Sequence, residues 1–134
     1  MADINSPFGY VYYLSGDAAN PITLVPNAVV ITANGPQSIP VKYWETIIET
    51  PTLTTGGAGA FVLNLVLDTD QLRAGAKLTL ITNTTGTETV AYGTGFFPGQ
   101  ARITGVAGKY FTQSFIYSIK TKSFLATGPS IQLN

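Results

Sequence analysis

An all-β domain is the fold class this chain predicts: an antiparallel β-sandwich, or a jelly-roll or barrel-like variant of one, with room for one short helical turn. Three observations lead there. Fourteen glycines and eight prolines punctuate the 134 residues, so no uninterrupted interval would sustain several ordinary helices. The intervals between them are rich in β-branched and aromatic residues, which suit a pleated surface. Where the hydrophobic pattern is regular its period is two, the signature of a strand with one buried face.

Taken in order, Gly9 to Leu14, Ile22 to Val25 and Ala28 to Ala33 read as short strands bounded by Gly16, Pro21, Pro26 and Asn34-Gly35-Pro36. Val41 to Thr50 is framed by Pro40 and Pro51, and Val41, Trp44 and Ile48 would line one face of a helix. Its β-branched and aromatic content lowers helix propensity, so a strand is the reading adopted. Thr54 to Ala60 is a glycine-rich loop. Phe61, Leu63, Leu65 and Leu67 share one parity while Val62 and Val66 make the other apolar too, the pattern of a central strand covered on both sides. Asp68 to Gly75 has the length of one helical turn or a tight loop. Lys77 to Asn83 reads as a strand, and Thr84 to Thr87 as a hairpin turn into Glu88 to Tyr92. Tyr110 to Ile119 is the clearest strand, with Phe111, Phe115, Tyr117 and Ile119 on one parity and Thr112, Ser114 and Ser118 on the other. Short strands at this spacing suit a single sandwich over 17–134, preceded by an extended N-terminal arm over 1–16.

Composition narrows function by exclusion. Seven Lys plus Arg balance seven Asp plus Glu, leaving no cationic excess to neutralise a phosphate backbone, so nucleic acid is not an expected partner. The chain has no His and no Cys, which removes the usual Ser-His and Cys-His machinery and zinc sites. Catalytic, cofactor-binding and metal-ligating residues are therefore all expected to be none. Asp68 and Asp70 lack the further ligands of a calcium loop and read as a solvated pair. Glu45 and Glu49 sit four residues apart on one element, awkward for a glycosidase pair, and read as edge-strand charges. Gly93 to Gly99 lacks phosphate-loop spacing and reads as a turn. Asn83-Thr84-Thr85 matches a glycosylation acceptor, idle without a secretory leader. The first residues carry neither a basic nor an apolar leader segment, and the apolar run Ala60 to Leu67 is far shorter than the ~20 residues of a membrane-spanning helix. Synthesis in the cytoplasm and no membrane partner are the expectations.

Charged residues form 10% of the chain, against about 25% in an ordinary soluble domain. Interface cores are poor in charge and rich in aromatics, and this chain has seven Phe, seven Tyr and one Trp. Much of its surface is expected to meet partners or copies of itself. The candidate contacts are Phe8, Tyr10, Tyr12 and Tyr13 near the N-terminus, and Phe96 and Phe97 between glycines in a loop. Such rings serve as core plugs, interface anchors or sugar-stacking platforms.

From about Ala60 onward, Asp70-Gln-Leu-Arg-Ala-Gly-Ala-Lys-Leu-Thr-Leu-Ile-Thr-Asn83, Ile103-Thr-Gly-Val-Ala-Gly108 and Phe111-Thr-Gln-Ser-Phe-Ile-Tyr117 resemble the small β-domains of tailed-phage virion proteins, the capsid decoration (cement) and head-fibre modules. The resemblance covers about half the chain. It implies a bacteriophage virion structural protein that decorates or stabilises a capsid lattice, contacts the major capsid protein or other virion proteins, forms a homo-oligomer with a trimer favoured, and resides in the virion. An alternative is a carbohydrate-binding, adhesin-like sandwich using Tyr43, Trp44 or Phe96 and Phe97 as its platform.

Overall fold

A computed structural model describes residues 26–33, 35–42, 44–54 and 61–133. Ten strands follow in order: β1 Asn27–Val30, β2 Gln37–Val41, β3 Glu45–Leu53, β4 Phe61–Leu67, β5 Lys77–Thr84, β6 Thr89–Tyr92, β7 Ile103–Thr104, β8 Tyr110–Ser118, β9 Ser123–Ala126 and β10 Ile131–Leu133. They form two sheets. The larger runs β1-β3-β5-β8-β10, with β9 sharing the far edge of β8, and the smaller runs β2-β4-β6-β7. Among the described residues there is no helix. Of the two forms expected for Asp68 to Gly75, the segment takes the tight loop: Leu72 N–H donates to the Asp68 carbonyl at 2.9 Å, and the Leu72 side chain is buried.

The all-β, two-sheet expectation holds, but the pairing is mixed rather than antiparallel throughout, and the sheets do not close into a barrel. From β1 to β6 the chain alternates between sheets, so β1, β3 and β5 pair in parallel, as do β2, β4 and β6. The first half is thus a flattened coil whose every turn lays one strand in each sheet. Antiparallel strands then finish it, with β7 on β6, and β8 on β5 carrying β9 and β10.

This topology corrects several local expectations. Residues 84–87 do not close a hairpin, because β5 and β6 lie in different sheets. Val41 to Thr50 is neither one strand nor a helix: Val41 ends β2, and β3 begins at Glu45. β3 lies inside its sheet between β1 and β5, so Glu45 and Glu49 are not edge-strand charges. β4 is central, between β2 and β6, yet Val66 on its outer face is exposed rather than covered. Ile119 falls in the turn after β8 and is exposed, whereas Gln113 takes a buried place on the inner parity. The strands expected upstream of Pro26, the N-terminal arm and most of the glycine-rich loop lie outside the described residues.

The inner faces meet in one core of Ile39, Val41, Ile48, Leu63, Leu65, Leu78, Leu80, Val90, Ile103, Phe111, Phe115, Tyr117 and Phe124 with their neighbours. Its aromatic part is a triangle, with ring centroids of Tyr92–Phe96 at 4.9 Å, Tyr92–Phe115 at 5.0 Å and Phe96–Phe115 at 4.9 Å. Phe96 is carried by the loop leaving the small sheet and Phe115 by the large one, so the triangle joins the two layers. The loop reaches this position through Gly95, whose φ is +89° and where a Cβ would stand 2.6 Å from that of Leu65; both the backbone and the space demand glycine.

Candidate functional site

Phe8, Tyr10, Tyr12 and Tyr13 lie outside the described residues. The structure separates the other two candidates. Phe96 is 6% exposed and belongs to the core triangle, so it presents no ring to a partner, while Phe97 beside it is 43% exposed. The consecutive pair is therefore no joint stacking platform. Trp44 is exposed at the entry to β3, where its carbonyl accepts from Lys77 N–H at 2.8 Å; Tyr43 lies outside the described residues.

Among the described residues no three Asp or Glu side chains gather to hold a metal ion. Asp68 and Asp70 are exposed, the Asp68 carboxylate accepting from Asp70 N–H at 3.2 Å across a local turn. Glu88 also serves its own loop, accepting from Gly86 N–H at 2.7 Å and from the Thr85 hydroxyl at 2.9 Å. Desolvation raises its carboxyl, but hydrogen bonds from its own backbone, Gly86 and Thr85 outweigh that and hold it below the usual carboxylate range. Burial pushes the Tyr92 phenol up, and its hydroxyl has no hydrogen-bond partner among the described residues.

What stands out instead is the outer face of the large sheet. Strand register lays its residues on a grid. One row runs Val30, Glu49, Ile81, Thr112, Ile131 from β1 to β10. The row below runs Ala28, Ile47, Thr79, Ser114, the next Glu45, Lys77, Ile116, Leu125, and the row above Thr52, Asn83, Tyr110, Leu133. Five of the large hydrophobics that are exposed belong to it, led by Val30 at 68% and Ile131 at 60%, with Tyr110, Ile116 and Leu133. Between them lie hydroxyl and amide side chains, among them Asn83, which donates to the Thr52 hydroxyl at 2.9 Å. Its three charges, Glu45, Glu49 and Lys77, are all on β3 and β5; the part built from β8, β9 and β10 has none.

Shallow grooves of about 270 to 280 Å³ cross this face, one along Val30, Glu49, Ile81 and Tyr110, the others beside Ser114 and Thr127. None has the convergent polar groups of a small-molecule site. A broad, weakly furrowed face with apolar side chains among hydroxyls suits contact with another macromolecule.

Sequence reasoning pointed to aromatic rings and missed this face. The available signal was a break in alternation: Ile47 sits between inward Thr46 and Ile48, Ile81 between Leu80 and Thr82, Ile116 between Phe115 and Tyr117. Each places an apolar side chain where a wet face would carry a polar one. In comparisons with known proteins, no family model, no curated protein and no solved structure matches this chain.

Proposed function

We propose that the chain is a structural protein of an assembly, a capsid-associated decoration or minor capsid protein of a tailed-phage virion that acts through protein–protein contacts and performs no catalytic step. The observation that carries this reading is the outer face of the large sheet, where Val30, Tyr110, Ile116, Ile131 and Leu133 are exposed together. Isolated surface hydrophobics are ordinary, whereas several on one sheet face, set among hydroxyls with few charges, mark an interaction surface. The shortage of charge supports the same reading, since a surface meant to be covered gains nothing from charges that must be desolvated. The resemblance to decoration and head-fibre domains supplies the kind of assembly, and the N-terminal segment with its tyrosines is the candidate arm.

The direct test is co-sedimentation of the purified chain with the heads of the phage that encodes it. Saturable binding at physiological salt is the expected result. Absence of binding by a folded chain overturns the capsid reading. The exposed Trp44 ring favours one second reading, a glycan-binding module. Retained glycan-array signal that disappears in Trp44→Ala would select it.

A further inference from the structure

We infer that the outer face of the large sheet is a self-complementary surface on which a second copy of this chain docks about a two-fold axis. The inference rests on the reading of the chain as an assembly protein and names the partner. Its first support is size. Five strands spaced at ~4.8 Å and four rows at ~6.7 Å make a face of about 600 Å². Complete overlap of two such faces would bury about 1,200 Å², the lower bound for a specific, stable interface.

The second support is the placement of charge. Lys77 lies on β5 in the lowest charged row, and Glu49 lies on β3, two rows up and one strand over, in register with Ile81. An axis lying in the interface, inclined by about 20° to the direction across the strands and passing between Ile47 and Thr79, exchanges these two positions. It brings Lys77 of each copy opposite Glu49 of the other, giving two reciprocal ion pairs. The same operation carries Ile116 of each copy onto the neighbourhood of Ile81 of the other, Tyr110 onto that of Leu125, and Ile131 close to its own symmetry mate. Over the β5, β8 and β10 part of the face apolar side chains meet apolar ones and cation meets anion, while the third charge, Glu45, falls at the β1 edge beside Ala28 and Val30 of the other copy, on the rim of the contact. Such self-complementarity is the condition for a closed, isologous contact. A net charge of zero imposes no long-range repulsion between copies.

The experiment is the solution mass of the full chain by sedimentation equilibrium, with charge reversals on the face. Wild type is expected to be a dimer. Lys77→Glu and Glu49→Lys each place like charges in opposition and should weaken association about tenfold or more. The double reversal restores opposite charges across the axis and should recover most of the loss, a result that damage to the fold would not produce. Ile116→Lys should yield a folded monomer with an unchanged circular dichroism spectrum. A wild type that is monomeric at its highest soluble concentration, or a trimer, overturns the two-fold contact, as does a double reversal no better than either single one. The two proposals fail separately: a monomer that still sediments with phage heads sinks the self-contact alone, and a dimer that ignores them sinks the capsid reading alone.

Discussion

Phe96 and Phe97 show how far one position changes the meaning of a side chain. Phe96 fills the space between the sheets against Tyr92 and Phe115, and Phe97 faces outward one residue later. Phe96→Ala should cost about 3–5 kcal/mol, as loss of a buried ring does, whereas Phe97→Ala should move stability by less than about 1 kcal/mol. Urea denaturation of the two variants checks the contrast. Glu88 is legible only in three dimensions, since nothing in Thr85-Gly-Thr-Glu88 marks the carboxylate as a loop clamp. Its carboxyl is held low in the folded chain, so its contribution is present above the ordinary carboxylate range and is lost as the pH falls through the depressed value. Glu88→Gln should therefore be less stable than wild type at neutral pH, and the gap should narrow under acid conditions. Thermal melts of both proteins across that interval read the sign directly.

Among the elements, β9 shows how a short strand can be secured from outside its sheet. It pairs with β8 on one side, and its other edge would leave backbone groups open. The loop after β6 closes that edge: Phe124 N–H donates to the Gly95 carbonyl at 2.9 Å, and the Phe124 carbonyl accepts from Phe97 N–H at 2.9 Å. The Gln100 side chain continues the pattern, its Nε2 donating to the Phe124 carbonyl at 3.1 Å and its Oε1 accepting from Ala126 N–H. One side-chain amide thus does the work of a further strand residue. Gln100→Ala should lower stability by about 1 kcal/mol, since it leaves the Ala126 N–H without its partner while the Phe124 carbonyl keeps that of Phe97. Faster hydrogen exchange at the Ala126 amide, with core amides of β5 unchanged, is the local signature expected. At the opposite edge Pro40 lies in β2, where a residue without an N–H is tolerated, and the Asn27 side-chain amide donates to its carbonyl at 3.2 Å. Both prolines flanking the Val41 to Thr50 segment fall inside strands rather than between them, which is why they misled the placement of element boundaries there.

For the whole molecule, the consequence of alternating sheets is that strand partners are distant in sequence. Asn27 pairs with Thr46, Thr46 with Leu78, and Phe61 with Val90. Each pairing must close a loop of roughly twenty to thirty residues before its hydrogen bonds form. Refolding from urea should accordingly take milliseconds to seconds, the range of folds dominated by non-local pairing. Stopped-flow fluorescence of Trp44 measures it, and a microsecond phase carrying the full amplitude would contradict this topology.

The sequence by itself determined that the chain is all β, where most strands lie from β4 onward, and that Phe111, Phe115 and Tyr117 share the inner face of β8. It did so because alternation with period two depends only on one face of a strand being dry. It determined equally that no histidine or cysteine chemistry is available, since that follows from composition. Only the tertiary structure decided that the first six strands pair in parallel across two sheets. A strand alternates in the same way whether its neighbour runs with it or against it, and the turn at 84–87 looks alike whether the chain folds back or crosses over. Only the tertiary structure, too, decided that Ile47, Ile81, Ile116 and Ile131 share one surface. They come from four strands far apart in the chain, and register alone, set by backbone hydrogen bonds between those strands, brings them together.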